Sequence, residues 1–543
     1  MSSVWPWTIA SVVACAYLVW RRLLAYLRYL QQEGYEAWRF LRWTHVRSLA
    51  DPALWLSIAA AVLFLRAPVS ATVTFGLGAV LFGIAQPDPR RTGKIPLRLT
   101  WRATRILAVA AILAAASWAL LFRAAPPGAT LAPLVASSVL FAGLPLVLIA
   151  ANALLAPYEH RVQHRYEVEA AARLQAVSPL VIGITGSYGK SSTKAMLAHI
   201  LQFDAPTLAA SGSINTLMGV TRHIREELVS GHKFMIVEMG AFRPGSIRRL
   251  CQLTPPRAGL ITAVGDMHLE RFGSLDNIVK AKSELAQATP PGGYLAVNAD
   301  SPAALRIAQG ATHCRVLLYG QTSTEDLVTR IEQLRFSKEG TTFALRTKER
   351  VYSCFTPLLG RPIILNLAGA FTMATALDVD PDLAVAAMRT LKPLTNRLEV
   401  VEEGGVTWVR DAYNSNQFGF RAALEVAAAL PAGRRFIATP GVIELGREQF
   451  EVNRTLAREA AAICDRTLVV SDTNKSAFQA GHKDAGRDDQ LVPVFNRSAA
   501  FRWLRENVKN GDLVILENDL PDLYEESSGV FWKASKRAAA ERR

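Results

Sequence analysis

The sequence contains few cysteines and no arrangement of them that suggests a cross-link or a metal cluster. Five cysteines are scattered along 543 residues with no CxxC pair: Cys15, Cys251, Cys314, Cys354 and Cys464. This spacing argues against a zinc site or a disulfide framework, and it fits a reducing compartment.

Acidic residues are scarce at the start of the chain. Residues 1 to 157 contain 14 Lys and Arg but only 4 Asp and Glu, so they carry +10 of the net charge of +15. A basic excess confined to the part of the chain with long apolar runs points to a membrane surface, and it argues against nucleic acid as a partner. We therefore predict that the lipid bilayer is a partner and that nucleic acid is not.

Ionisable residues are absent from the middle of the apolar runs, which argues against a transport pathway. Four runs approach the length that crosses a bilayer, and a fifth is shorter: Val4 to Trp20, Ala67 to Ala85, Ile106 to Phe122, Leu131 to Pro157 and the short Ala53 to Leu65. Because the arginine-rich segments 21–47 and 90–105 are predicted to be cytoplasmic, five spans place the N-terminus outside. We predict a multi-pass protein of the cytoplasmic membrane with its catalytic region in the cytoplasm.

A phosphate-binding loop follows the membrane part. The apolar run Leu180 to Ile184 predicts a buried strand, and a helical pattern begins at Lys190. Glycines let backbone amides approach phosphates, the lysine neutralises phosphate oxygens, and a hydroxyl after it reaches a magnesium ion. The predicted ATP-binding residues are Thr185, Gly186, Ser187, Tyr188, Gly189, Lys190, Ser191 and Ser192.

Strand-like and helical segments alternate after the loop, which predicts a parallel sheet covered by helices. The predicted fold is therefore N-terminal transmembrane α-helices followed by α/β domains: a P-loop central domain and a C-terminal Rossmann-like domain. The predicted boundaries are 1–157 for the membrane region, 158–177 for a linker, 178–396 for the central domain and 397–543 for the C-terminal domain.

Three further residues are candidates for chemistry near the loop. Glu238 follows a buried strand, where a carboxylate is well placed to hold magnesium. His268 follows the next strand, and Lys282 lies on the helix after it, although a lone histidine and a helical lysine are more often structural.

The segments TGSYGKSS, IVEMGA, MHLERFGS, KAKSEL and AVNAD occur in an order that resembles the Mur ligase family. These ATP-dependent enzymes join amino acids to cell-wall precursors, and the closest resemblance is to the branch that adds D-alanyl-D-alanine. The resemblance implies ATP and two Mg²⁺ ions as cofactors. It also implies that Glu238 and His268 bind the second magnesium and that Lys282, with Lys280 as the competing candidate, is carbamylated. Lys190, Glu238, His268, Lys282 and Arg397 would then be the catalytic residues.

The same resemblance assigns roles farther along the chain. Asn215 in SGSINTLMGV would lie at the substrate side, Asn366 would meet the adenine base, and Arg397 would contact the phosphates. The segment DAYNSN is similar to a family motif in which the aspartate, here Asp411, faces the ribose. Asn414 and Asn416 of that motif would contact substrate. Pro362 and Ile363 replace a usual His-Asn pair, Gln417 replaces a usual proline, and TPGVIELG matches its family motif only in its second half.

These features predict an amide ligase that acts through an acyl phosphate. It would add D-alanyl-D-alanine or an amino acid to a peptide carboxylate of peptidoglycan type. Only about 25 residues separate the last apolar run from the loop, too few for the sugar-nucleotide domain of a precursor ligase. The acceptor is therefore predicted to be membrane-bound, such as a lipid-linked precursor or a growing polymer. Two alternatives stay open: a polyglutamate-type synthase of the same fold, and a membrane P-loop ATPase without ligase activity.

Overall fold

The computed structural model describes residues 5–48, 68–91, 96–124, 132–265, 272–393, 397–411, 416–443 and 445–518. The chain divides into a helical unit that ends at Val162 and an α/β unit that begins at Gln163. Each unit has its own hydrophobic core.

The helical unit contains long apolar helices. Its described helices are α1 (Trp5–Gln32), α2 (Ala37–Ser48), α3 (Pro68–Ala85), α4 (Trp101–Arg123) and α5 (Ala132–Val177), the last continuing into the α/β unit. Segments Ile9–Gln32, Trp101–Arg123 and Val135–Val177 are long and apolar enough to cross a membrane, and Gly76–Ala85 is a shorter apolar helix. The predicted run Ala53 to Leu65 lies outside the described residues.

Helices α1 and α3 pack closely and run parallel. A Cβ atom on Gly76 would touch Ser11, and one on Gly83 would touch Tyr17, so both helices advance in the same direction. The small residues let the two backbones approach.

Two helices are longer than the apolar runs. Helix α1 continues beyond Trp20 because residues 23 to 30 are good helix formers without Gly or Pro, and it ends before Gly34, whose φ of 66° is left-handed. Helix α5 passes through Pro145 and Pro157 and includes residues 158–177, the predicted linker.

The central sheet has nine strands in the order β2-β3-β1-β4-β5-β6-β7-β8-β9. Its first seven strands are parallel, and β7, β8 and β9 form an antiparallel meander at one edge. The strands are β1 (Leu180–Thr185), β2 (Thr207–Ala209), β3 (Phe234–Glu238), β4 (Ala258–Ile261), β5 (Tyr294–Asn298), β6 (Arg315–Gly320), β7 (Thr329–Ser337), β8 (Gly340–Arg346) and β9 (Val351–Thr356).

Helices cover both faces of the parallel part of this sheet, so strands such as β1, β3 and β4 are apolar on both sides. They are α6 (Lys190–Gln202), α7 (Leu217–Glu227), α8 (Ser246–Leu253), α9 (Leu275–Ala288), α10 (Pro302–Gln309), α11 (Arg361–Ala376) and α12 (Pro381–Met388). Strands β6 to β9, which span residues 315–356, extend the main sheet, because β6 pairs in parallel with β5.

The C-terminal sheet has six strands in the order β10-β11-β15-β12-β13-β14, all parallel except β10. They are β10 (Glu399–Glu403), β11 (Val406–Asp411), β12 (Arg435–Thr439), β13 (Arg466–Val470), β14 (Leu491–Val494) and β15 (Leu513–Glu517). Helices α13 (Gln417–Ala429), α14 (Gln449–Ile463) and α15 (Lys475–Asp484) cover one face, and α16 (Arg497–Asn507) covers the other. The predicted fold class is confirmed: apolar helices precede two three-layer α/β domains.

Candidate functional site

The loop between β1 and α6 has the backbone of a phosphate cradle. Gly186 and Gly189 have φ values of 154° and 80°, which L-residues with side chains rarely adopt. A Cβ on Gly186 would collide with Thr262, and one on Gly189 would collide with the amide of Asn366. The backbone amide of Ser187 donates to the Ala263 carbonyl at 2.8 Å, which fixes the loop against the end of β4.

Two lysines meet at one carbonyl of this loop. Lys190 Nζ donates to the Gly186 carbonyl at 2.9 Å, and Lys282 Nζ donates to the same oxygen at 2.8 Å. Lys282 is 4% exposed, whereas Lys280, two residues earlier on α9, faces solvent. The helix therefore brings Lys282 to the loop and directs Lys280 away from it.

Burial lowers the pKa of both lysines at the loop. Loss of water lowers the pKa of Lys282 well below its usual value, and the nearby Lys190 charge lowers it further. Burial also lowers the pKa of Lys190, and the Arg397 charge adds to this effect while Glu238 opposes it. A lowered pKa favours the uncharged amine, which is the nucleophilic form of a lysine.

Glu238 lies at the carboxyl end of β3, beside the end of β1. Its side chain is buried, and one oxygen accepts from Asn215 Nδ2 at 3.0 Å. The other oxygen lies 3.3 Å from Lys194 Nζ, which also donates to the Gly212 carbonyl. Lys194 and Asn215 thus give the buried Glu238 side chain one positively charged partner and one amide donor.

Lys194 is a functional candidate that the sequence analysis missed. It lies four residues after Lys190 on α6, so both lysines project from the same face of the helix. That spacing is visible in the sequence, but it does not show which carboxylate the second lysine would meet.

Several other predicted residues lie around the same loop. Ser191 Oγ is 3.0 Å from Ser213 Oγ, and an Arg397 nitrogen is 3.5 Å from Ser192 Oγ. His268 and Asn414 lie outside the described residues. Within the described ranges, no group of three or more His, Cys, Asp or Glu side chains could hold a metal ion.

A cavity of about 270 Å³ opens between the loop and the C-terminal domain. Its lining includes Gly189, Ser192, Asn298, Asn366, Pro362, Ile363, Arg397, Asp411, Asn416 and Phe418. The predicted phosphate, base and ribose residues therefore line one cavity, although they come from both α/β domains. A nucleotide whose phosphates lie on the loop would extend into this space.

Asp411 lies at the end of β11, where its carboxylate faces the cavity. Burial raises the pKa of Asp411 to about 7, although the Leu398 amide, which donates to it at 3.3 Å, and the Arg397 charge oppose this change. The carboxyl group therefore gains and loses its proton near neutral pH.

Asn416 has a local structural contact in addition to its position on the cavity. Its side-chain oxygen accepts from the backbone amides of Phe418 and Gly419, at 3.0 and 3.1 Å, and so caps the N-terminus of α13. The ring of Phe418 then lies 5.5 Å from the ring of Tyr188 in the loop. This aromatic contact between the domains was not predicted.

A second contact between the two α/β domains lies at the start of α11. Arg361 donates to Glu425 on α13 at 2.6 Å and to Gln321 Oε1 at 2.5 Å. No local sequence pattern indicates this pair, because 64 residues separate its two members.

In the TPGVIELG segment, two buried asparagines shape the backbone. Asn453 accepts from the Val442 amide at 2.8 Å and donates to the Val442 carbonyl at 2.9 Å, while Asn474 donates to the Pro440 carbonyl at 2.8 Å. The Asn453 amide group therefore holds the turn after β12.

Comparison with known proteins identifies the family. Residues 184–374 match the Mur ligase middle domain, and residues 396–517 match the Mur ligase glutamate ligase domain. A UDP-N-acetylmuramoyl-tripeptide–D-alanyl-D-alanine ligase from Mycobacterium bovis is 30% identical over 375 residues, which cover 64% of this chain and 72% of that protein. The chain belongs to the Mur ligase family. Mur ligases are ATP-dependent enzymes that form amide bonds, so the predicted family and enzyme class are confirmed.

Other Mur ligases support the same assignment. The enzyme of the same name from Bacillus subtilis is 26% identical over 355 residues, which cover 64% of this chain and 75% of that protein. Two solved structures share the fold, each with a TM-score of 0.59 over 70% of this chain. They are MurF from Acinetobacter baumannii, 23% identical over 80% of its chain, and MurF from Thermotoga maritima in complex with ADP, 21% identical over 85%.

Proposed function

We propose that this Mur ligase joins D-alanyl-D-alanine, or an amino acid, to the peptide carboxylate of a peptidoglycan-type precursor. The observation that carries the proposal is the pair Lys190 and Lys282 at the Gly186 carbonyl, with Glu238 at the end of the neighbouring strand. The named activity of the Mycobacterium bovis and Bacillus subtilis relatives supports the choice of D-alanyl-D-alanine.

The reaction would proceed in two steps. A carboxylate oxygen of the acceptor attacks the γ-phosphorus of ATP, the bond to the bridging oxygen breaks, and ADP leaves with that electron pair. The amine of the incoming component then attacks the acyl carbon, loses a proton and expels inorganic phosphate. Lys190 and Arg397 would stabilise the phosphoryl charge, while Asn366 and Asp411 would hold the base and the ribose.

Mg²⁺ ions fit the charges of this site if the site gains a further anionic ligand. Lys190 and Lys194 already place positive charge near Glu238, so further positive charge needs another anionic ligand. Burial lowers the pKa of Lys282 and so favours its uncharged amine, the form that can attack CO₂ and release a proton to give a carbamate with carboxylate character. Ser191, Glu238, His268 and carbamylated Lys282 would then hold two Mg²⁺ ions, which neutralise phosphate charge.

We also propose that the helical unit spans the cytoplasmic membrane and that the acceptor is lipid-linked. Three long apolar helices and the positive charge of residues 1–157 support this arrangement. The catalytic α/β unit would then lie in the cytoplasm, where ATP is available.

The decisive experiment uses the full chain in proteoliposomes with ATP, Mg²⁺ and D-alanyl-D-alanine. Lipid-linked and soluble nucleotide-linked tripeptide precursors are supplied separately, and products are identified by mass. We expect one D-alanyl-D-alanine per acceptor, faster phosphate release with the lipid-linked acceptor, and no product from Lys190→Ala.

Other outcomes would contradict parts of the proposal. Equal rates with both acceptors would contradict the proposal that the acceptor is lipid-linked. Several identical residues on one acceptor would identify a polyglutamate-type synthase instead. ATP hydrolysis without any amide product, across all acceptors, would indicate an ATPase and exclude the proposed ligation.

A further inference from the structure

Polar side chains from three helices of the helical unit meet at the start of α4. Gln31 on α1 exchanges two hydrogen bonds with the backbone of Arg98, at 2.9 and 3.0 Å. Asn152 on α5 donates to the Tyr35 carbonyl at 3.2 Å and accepts from Arg102 at 3.3 Å. We call Gln31, Tyr35, Arg98, Arg102 and Asn152 the Arg102 layer.

The guanidinium of Arg102 is held in place but has no anionic partner among the residues that the structure describes. It stacks over the Tyr35 ring at 4.0 Å. In the described part of the chain its Nε is buried without a hydrogen-bond acceptor, and no carboxylate pairs with it. Arg105, one turn later, differs because it pairs with Glu159 at 2.7 Å. A positioned guanidinium with an unsatisfied buried donor favours binding of an anion.

Neighbouring charges make the layer more attractive to an anion. Arg28 lies one helical turn before Gln31 on α1, and its side chain is buried. The exposed Arg98 lies at the rim, and α4 begins at Trp101 with the positive end of its dipole on this side.

The position of the layer indicates which anion would reach it. Arg102 and Arg105 immediately precede the apolar run from Ile106 to Phe122. If α4 spans the bilayer, this level lies among the lipid headgroups of the cytoplasmic leaflet, and basic pockets between helices at that level bind lipid phosphates. Tyr35 has a left-handed φ of 65°, a conformation that is unfavourable for a residue with a side chain. The hydrogen bond from Asn152 to the Tyr35 carbonyl helps to hold this conformation, in which the Tyr35 ring stacks on Arg102.

We propose that the Arg102 layer binds the phosphate or diphosphate headgroup of a membrane lipid. This inference rests on the proposed membrane insertion, and it deepens the proposed function because the diphosphate of a lipid-linked acceptor has this chemistry. Arg102 would donate Nε–H and Nη–H bonds to phosphate oxygens, and Arg28 and Arg98 would add positive charge.

The test measures lipid binding to the full chain without ATP. Purified protein in detergent is titrated with phosphatidylglycerol, with a polyprenyl diphosphate, or with inorganic diphosphate, and bound species are counted by native mass spectrometry. We expect Arg102→Gln to weaken binding of the lipids about tenfold. Arg123→Gln is the matched control because it removes the same charge from the opposite end of the same helix, and it should leave binding unchanged.

The three titrations distinguish which kind of phosphate compound the Arg102 layer binds. Binding of the polyprenyl diphosphate alone would support acceptor recognition, and binding of both lipids would support a general headgroup site. Binding of inorganic diphosphate without either lipid, or equal losses in Arg102→Gln and Arg123→Gln, would overturn the proposal.

Two controls exclude trivial explanations. Arg102→Lys retains the charge but loses the stacked planar group, so its affinity for the lipids should fall less than that of Arg102→Gln. An equal loss of affinity in the two variants would overturn the argument from charge. Binding of an ATP analogue to the α/β unit should stay unchanged in all three variants, which shows that the substitutions do not disturb the α/β unit. Because no turnover is measured, failure of lipid binding and failure of ligation are distinguishable.

Discussion

At the scale of single residues, Lys282 gives the sharpest prediction. We expect Lys282→Ala to lower the rate of amide formation by about 100-fold, because a ligand of the second magnesium is lost. Lys280→Ala is the matched control on the same helix, and its exposed side chain should leave the rate nearly unchanged. Steady-state phosphate release from the full chain measures both variants.

Chemical rescue separates a lost ligand from a damaged fold. Acetate or formate can supply the missing carboxylate, so either should restore part of the rate of Lys282→Ala. Equal activity of Lys282→Ala and Lys280→Ala would contradict the role of Lys282.

Asp411 predicts a pH dependence of stability. Its pKa of about 7 in the folded protein is higher than in the unfolded chain, so the folded state binds an extra proton between about pH 4 and pH 7. This contribution is present at low pH and is lost as pH rises through 7. We expect the melting temperature of the nucleotide-free protein to fall from pH 5 to pH 8 by less in Asp411→Asn than in the wild type. The same fall in both proteins would show that Asp411 is not the titrating group.

At the scale of secondary-structure elements, Asn416 determines how α13 begins. Replacing it with alanine removes the two cap hydrogen bonds and should destabilise the first turn by about 1 kcal/mol. We expect amide exchange at Phe418 and Gly419 to accelerate about fivefold in Asn416→Ala and to stay near the wild-type rate in Asn416→Ser. Hydrogen-exchange mass spectrometry measures this local change.

The serine variant also tests the predicted substrate role of Asn416. Serine can cap the helix, but it lacks the amide group that would contact substrate. If Asn416→Ser keeps slow exchange yet loses ligase activity, the residue acts on substrate as well as on α13. Retained activity would leave only the capping role.

At the scale of the whole molecule, the charge pattern predicts a topology. A reporter fused after residue 91 should be cytoplasmic, and one fused after residue 123 should lie outside, because the arginine-rich segments stay inside. We expect β-galactosidase activity from the first fusion and alkaline phosphatase activity from the second. The reverse pattern would place the α/β unit outside, away from ATP.

The sequence determined the order of the elements, the family and most candidate residues. Buried strands are recognisable as apolar runs, and the loop glycines are required locally by their φ values. Both features can therefore be predicted from the local sequence, without knowledge of the segments that pack against them. The lengths of α1 and α5 were harder to predict, because apolar composition marks the membrane core and not the end of a helix.

Only the tertiary structure decided which side chains meet. It directed Lys282 and not Lys280 toward the loop, joined Lys194 to Glu238, gave Asn416 a capping contact, and left Arg102 stacked on Tyr35 without a carboxylate. Each of these outcomes depends on how distant segments pack. Helical spacing fixes the relative directions of neighbouring side chains, but it cannot specify the surface that a helix will face.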